Sequence, residues 1–217
     1  MNFKGIQHID ELIKLADRRN LLPTSFEEFI DKNYGNFESY LVNADIDIDE
    51  HAIFYEDVAK RELETNDAEQ IGNRARLIAI ERLRNESEDE FYNVLYRYDN
   101  FKFPMFVYRS ISLPVKDINE IEDIINEDFI RENVGIYWSY EHSGAISHCG
   151  RGNKDFILKA IIYEDAVNWN ATLKQNMDPV LGRDEMEIQL IENTTIEIVS
   201  IEDKNNNIED IHMKVKV

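Results

Sequence analysis

An arginine in the middle of the chain stands among residues that predict a buried strand. From Lys102 to Leu113 the side chains alternate with a period of two and are rich in aromatic and β-branched types, which is typical of a β-strand. On this strand Arg109 shares a face with Val107 and Ile111. Burying an unpaired guanidinium among hydrocarbon is costly. Arg109 therefore needs an anionic partner, either a carboxylate of the protein or a ligand phosphate, which arginine binds through two hydrogen bonds.

Two glutamates later in the chain are spaced to lie together. In the stretch GRDEMEIQL, residues 182–190, a strand would place Glu185 and Glu187 on the face opposite Ile188. Two carboxylates would then share one face at the entrance of a strand. The alternative is that both are solvent-facing residues of an edge strand, because an acidic chain contains many such pairs by chance.

A serine ends another predicted strand, and a histidine-rich stretch follows it. The segment VGIYWS, residues 134–139, predicts a short strand that ends at Ser139, where a serine is commonly only a cap. The loop that we expect next contains His142, and His148 and Cys149 follow. No second cysteine or close set of carboxylates completes a tetrahedral zinc site there, so we predict no metal. A thiol hydrolase is disfavoured too, because Cys149 and His148 are only sequence neighbours.

An α+β fold would have to position these residues. Up to about residue 100 the apolar residues recur at helical spacing, which predicts a helical subdomain over residues 1–100. A capping box at residues 24–28 predicts one helix start, and helices are expected over about 67–85 and from Ser87 onward. The stretch 45–50 alternates acidic residues with isoleucine, but it lacks the glycine and the spaced terminal glutamate of a calcium loop, so a solvated loop or edge segment is expected rather than a metal site. No proline-, glycine- or serine-rich linker separates the halves, so we expect the helical subdomain to pack against the rest.

Residues 101–217 are predicted to form a mostly β domain. After the strand that carries Arg109 we expect a helix over about 118–129, and then the strand that ends at Ser139. A nearly continuous apolar run at 156–163 predicts a central strand, and a turn and short helix follow it. The strand opened by the two glutamates comes next. Two further strands, at about 195–201 and 208–217, flank an asparagine-rich turn at 204–207.

Composition limits the classes of function. The 217 residues include 44 acidic and 24 basic side chains, which give a net charge of −20, so general nucleic-acid binding is disfavoured. The single cysteine cannot form an internal disulfide, and no stretch has the form of a signal peptide. No apolar run approaches the roughly 20 residues that span a bilayer. These features predict a cytoplasmic protein with no membrane partner.

Three of these elements occur in the order that characterises one enzyme family. A strand with Tyr108, Arg109 and Ser110, a strand that ends in Ser139, and a Glu-x-Glu pair that opens an aliphatic strand together resemble the mono-ADP-ribosyltransferases of the Arg–Ser–Glu class. The resemblance covers about residues 103–203. Its middle element departs from the family, because the sequence has YWS where the family usually has Ser-Thr-Ser.

The resemblance implies a split, mostly antiparallel pair of crossed sheets with NAD in the cleft between them. Arg109 would bind the phosphates of NAD, Ser139 would orient Glu187, and Glu187 would bond the nicotinamide ribose. The family's chemistry needs an anion there, because loss of nicotinamide leaves an oxocarbenium-like ribose. Glu185 would orient or deprotonate the acceptor.

The resemblance extends to the neighbours of these residues and to the function. Tyr108, Ser110 and Trp138 would contribute to NAD binding, with Tyr108 or Trp138 stacking on a ring of the ligand or serving only as core. The function implied is transfer of ADP-ribose from NAD to a target protein, with arginine favoured as acceptor, as in a phage or bacterial effector. The alternatives are a non-catalytic nucleotide- or protein-binding module of the same fold, and an NAD glycohydrolase.

Overall fold

The structure is a computed structural model that describes residues 13–114, 130, 134–149, 153–178, 186–203 and 208–217. The predicted helix at 118–129, the turn at 204–207 and the first glutamate of the pair, Glu185, lie outside these residues. The chain divides into two compact units, Met1–Asp99 and Asn100–Val217. The first unit is helical in its described part and the second contains the sheet, so the predicted mixed α+β class is confirmed.

Six helices make up the described part of the first unit. They are α1 (residues 13–21), α2 (Phe26–Asn33), α3 (Phe37–Asn43), α4 (Ile48–Ile53), α5 (Glu56–Leu63) and α6 (Ala68–Asp99). Phe26, Phe29 and Phe91 are fully buried, and their ring centroids lie 5.6–6.3 Å apart. These rings join α2 to α6, and a second apolar cluster packs α4 and α5 against the first half of α6.

The predicted cap of α2 is confirmed. Ser25 accepts a hydrogen bond from the backbone N–H of Glu28 at 3.2 Å. The carboxylate of Glu28 in turn accepts from the backbone N–H of Thr24 at 2.7 Å. Two backbone donors that the helix cannot satisfy itself are therefore paired, which fixes where α2 begins.

One of the local predictions is wrong and two hold only in part. The two helices expected on either side of Ser87 are one 32-residue helix, α6, in which Ser87 is buried. The stretch at 45–50 is not simply a loop, because Asp47 caps α4 through the N–H groups of Asp49 and Glu50. The loop expected after Ser139 contains a short helix, α7 (His142–Ser147).

The second unit contains one six-stranded sheet. Its strands are β1 (Met105–Pro114), β2 (Tyr137–Ser139), β3 (Asn153–Ile162), β4 (Glu187–Gln189), β5 (Thr195–Asp203) and β6 (Ile208–Lys216). They lie in the order β4-β2-β1-β3-β5-β6, and every described pair is antiparallel. The described strands therefore pair as one continuous sheet rather than as two.

Two helices flank the part of the sheet that carries the candidate residues. Helix α7 packs against β1 and β2, and α8 (Trp169–Asn176) packs against β4. Thr172 on α8 accepts from the backbone N–H of Gln189 on β4 at 3.0 Å. This contact satisfies a backbone donor on the outer strand, which would otherwise face solvent as an unpaired edge. None of the described helices is long and apolar enough to cross a membrane.

Candidate active site

The strand register aligns three candidate residues in one row. Tyr108 on β1 lies directly opposite Ser139 on β2, and Ser139 lies directly opposite Glu187 on β4. Directly opposed residues of antiparallel strands project from the same face of the sheet. In this row Ser139 is therefore the residue between Tyr108 and Glu187.

A cavity of about 210 Å³ opens beside this row. All six predicted site residues that the structure describes line it: Tyr108, Arg109, Ser110, Trp138, Ser139 and Glu187. The sequence reasoning missed three further lining residues, namely Tyr137, Ala145 and His148. Tyr137 lies in the strand predicted over residues 134–139, but sequence reasoning assigned it no role in a site. The contribution of Ala145 and His148 depends on α7, which no apolar periodicity predicted.

Arg109 reaches from β1 to the backbone of β2. Its Nη1 donates to the carbonyl oxygen of Tyr137, whereas its buried Nε–H has no hydrogen-bond partner in the part of the chain that the structure describes. Burial lowers the pKa of the Arg109 guanidinium, and the negative charge of Glu187 partly offsets this effect. A buried donor without a partner is costly. An anionic oxygen in the cavity would satisfy it.

Gly135 forms the surface on which the guanidinium of Arg109 rests. A Cβ atom at this position would lie 3.3 Å from Nη2 and 3.6 Å from Cζ of Arg109. The indole N–H of Trp138 donates to the carbonyl oxygen of Gly135 at 2.9 Å and so fixes this backbone. The absence of a side chain at Gly135 therefore leaves room for the guanidinium.

Ser139 is buried at the end of β2, where the sequence placed it. Its hydroxyl donates to the carbonyl oxygen of Glu141 at 2.7 Å and accepts from the backbone N–H of the same residue at 3.2 Å. It also lies 3.3 Å from the carbonyl oxygen of Met186, which accepts the N–H of Tyr140 at 2.9 Å. These contacts join the end of β2 to the start of β4. The role of Ser139 in orienting Glu187 stays a prediction.

Glu187 is the first residue of β4 and is only 9% exposed. Although β4 is the outer strand of the sheet, Glu187 is not a solvent-facing residue, because α8 covers this strand. Asn176 on α8 donates to the carbonyl oxygen of Glu187 at 2.6 Å. A carboxylate is thus held at the wall of the cavity that the guanidinium of Arg109 also lines.

Met186, between the two glutamates, has a left-handed backbone with φ of 47°. Only a few per cent of non-glycine residues adopt such a conformation, and it is strained. Met186 therefore lies outside β4, and the predicted alternation of faces begins at Glu187 rather than at Glu185. Whether the two carboxylates share one face stays a prediction.

The chain has no match among known protein families, curated proteins or solved structures. Among the described residues, no group of three or more histidine, cysteine, aspartate or glutamate side chains could hold a metal ion.

Proposed function

We propose that the protein is an NAD-dependent mono-ADP-ribosyltransferase, which transfers ADP-ribose from NAD to a protein side chain and releases nicotinamide. The observation that carries the proposal is that a single cavity gathers Arg109, Ser139 and Glu187 from three adjacent strands. These residues follow one another along the chain in the order that resembles the Arg–Ser–Glu class.

The charges of the cavity suit the proposed chemistry. When the bond between nicotinamide and ribose breaks, the electron pair leaves with nicotinamide and the ribose becomes cationic at its anomeric carbon. A fixed carboxylate at Glu187 would stabilise that cation, and its burial would strengthen the interaction. The Nε–H of Arg109, which has no partner among the residues that the structure describes, would meet a phosphate oxygen. A cavity of about 210 Å³ is smaller than typical sites for whole cofactors, so it would take the nicotinamide–ribose end of NAD.

The acceptor in this proposal is a basic protein, with arginine favoured as the modified residue. The resemblance assigns preparation of the acceptor to Glu185. The net charge of −20 attracts cationic protein surfaces and repels polyanions.

The test is to measure nicotinamide release and protein labelling side by side, with purified protein, labelled NAD and a cell lysate. Glu187→Gln should lower both activities by roughly 10²–10³-fold, the usual cost of removing a main electrostatic stabiliser. Glu185→Gln should lose transfer but keep slow hydrolysis of NAD. Glu192→Gln removes the same charge from an exposed turn beyond β4 and should change neither activity. If Glu185→Gln and Glu187→Gln both keep both activities, the proposal is wrong.

A non-catalytic NAD-binding module is the second candidate. The observation that favours it is that the Ser139 hydroxyl bonds to the backbone of Glu141, as a structural cap would. Tight binding of NAD without release of nicotinamide over hours would support this candidate. Release of nicotinamide without labelled protein would instead indicate an NAD glycohydrolase.

A further inference from the structure

A histidine outside the row of candidate residues contacts the ring of Tyr108. The imidazole of His142, the first residue of α7, lies edge-on to the phenol, with ring centroids 5.3 Å apart and an interplanar angle of 84°. Nε2 of the same imidazole lies 2.9 Å from Oε2 of Glu202 on β5. His142 therefore has a ring contact with one strand and a hydrogen bond with another.

The register of the sheet explains how these three residues meet. Glu202 lies opposite Ile157 on β3, and Ile157 lies opposite Ser110 on β1. Glu202 and Ser110 therefore project from one face. Tyr108, two residues before Ser110, projects from that face as well. Because α7 packs on β1, its first residue can bridge Tyr108 and Glu202 across the intervening strand β3.

We propose that His142 is a positioning residue: anchored by Glu202, it holds the ring of Tyr108 in place as one wall of the cavity. The inference rests on the proposed function in one respect, namely that the held ring would stack on a planar ring of NAD. A ring that is already fixed loses less conformational freedom when the ligand binds. His142 would thus affect the affinity for NAD rather than the bond-breaking step.

Three variants separate the two contacts of His142. His142→Ala removes both contacts, and His142→Phe keeps an aromatic ring beside Tyr108 but loses the bond to Glu202. Glu202→Gln keeps the shape of the anchor and removes its charge. The matched control is His212→Ala, because His212 forms a similar pair with Glu197 at 3.2 Å between β6 and β5, in an exposed position away from the residues that line the cavity.

In an active enzyme, His142→Ala should raise the KM for NAD by about three- to tenfold, the range expected for loss of an aromatic contact. The kcat should stay within about twofold of the wild type, since Arg109, Ser139 and Glu187 are untouched. His142→Phe and Glu202→Gln should show smaller increases, and His212→Ala should show none. An unchanged KM in His142→Ala, or a loss confined to kcat, would overturn the role in ligand binding.

A second measurement needs no ligand. In protein labelled with ¹³C-tyrosine, the ring signals of Tyr108, assigned with Tyr108→Phe, should shift and sharpen toward those of a freely turning ring in His142→Ala but not in His212→Ala. Tyr108 signals that stay as in the wild type would overturn the proposal. A wild-type protein that neither binds NAD nor releases nicotinamide would contradict the proposed function alone. The NMR comparison would then still support or overturn the positioning role of His142, because it does not depend on NAD binding or on activity.

Discussion

At the scale of single residues, the guanidinium of Arg109 is the group on which the proposed binding of NAD would depend most directly. Nη1 of this guanidinium donates to the carbonyl oxygen of Tyr137, and the Nε–H has no partner among the described residues. A lysine at this position cannot donate to a carbonyl and a phosphate with the same planar geometry.

We therefore expect Arg109→Lys to weaken NAD binding by about tenfold or more, measured by calorimetry. Arg76→Lys is the matched control, because Arg76 forms an exposed ion pair with Asp49 in the helical unit. The control should bind NAD like the wild type. Equal affinities for all three proteins would show that Arg109 does not contact the ligand.

Gly135 allows a finer test of the same guanidinium. In Gly135→Ala the new methyl group would lie 3.3 Å from Nη2 of Arg109, so the guanidinium must move by a few tenths of an ångström. We expect the KM for NAD to rise by about tenfold, because small misplacements of a binding group are costly. Gly72→Ala, where no described atom beyond the chain neighbours and the backbone of its own helix lies within 4 Å of the new Cβ, should leave the KM unchanged and stabilise α6 by about 1 kcal/mol. A wild-type KM in Gly135→Ala would contradict this assignment.

The strands that carry Arg109 and Ser139 were predicted from the sequence and are present in the structure. The sequence could not show how the polar atoms pair. The sequence predicts a carboxylate or a phosphate as the partner of Arg109, whereas its described hydrogen bond goes to the carbonyl oxygen of Tyr137. That bond depends on the path of the β2 backbone beside β1. The side-chain types of the two strands do not determine this path. The left-handed backbone of Met186 likewise occurs where the ends of β2 and β4 meet, at the residue whose carbonyl oxygen accepts from the N–H of Tyr140.

At the scale of elements, the sequence mispredicts the helices whose extent depends on tertiary packing, namely α6 and α7. The Ser87 motif has the spacing of a capping box, but a cap needs an extended backbone at its first residue. Ile78 and Ala79 before it and Phe91 and Val94 after it are buried, so packing holds α6 as one helix through Ser87. Helix α7 has six residues, of which only Gly144 and Ala145 are buried, and so it has too few apolar positions to show a helical period.

The cap of α2 yields a prediction with a defined pH dependence. The N–H of Thr24, and then its hydroxyl, hold the pKa of Glu28 below its usual range. A carboxyl whose pKa is lower in the folded state stabilises the fold above its unfolded pKa, and the stabilisation is lost as the pH falls through the folded pKa. Glu28→Gln should therefore unfold at a lower urea concentration than the wild type at neutral pH.

The two midpoints should converge as the pH falls below the usual glutamate pKa of about 4.3. Glu38→Gln, which removes the same charge from the first turn of α3, is the control for a general charge effect. If Glu38→Gln and Glu28→Gln shift the midpoint equally at every pH, the loss is due to net charge and not to the cap.

At the scale of the whole molecule, the excess of acidic residues bears on the proposed choice of acceptor. A net charge of −20 creates a field that draws cationic proteins toward the surface and speeds their encounter. The proposed acceptor, an arginine on a basic protein, would benefit from this field, whereas water, the acceptor in plain hydrolysis, would not.

We therefore expect salt to separate the two reactions. Salt shortens the range of charge interactions, since the Debye length falls from about 10 Å at 0.1 M to about 3 Å at 1 M. Raising the salt concentration from about 0.05 to about 0.5 M should lower kcat/KM for a cationic protein acceptor by about tenfold. Nicotinamide release without an acceptor should change much less, and it serves as the control for effects of salt on NAD binding. Transfer that is equally fast at both salt concentrations would show that the acidic surface does not select the acceptor.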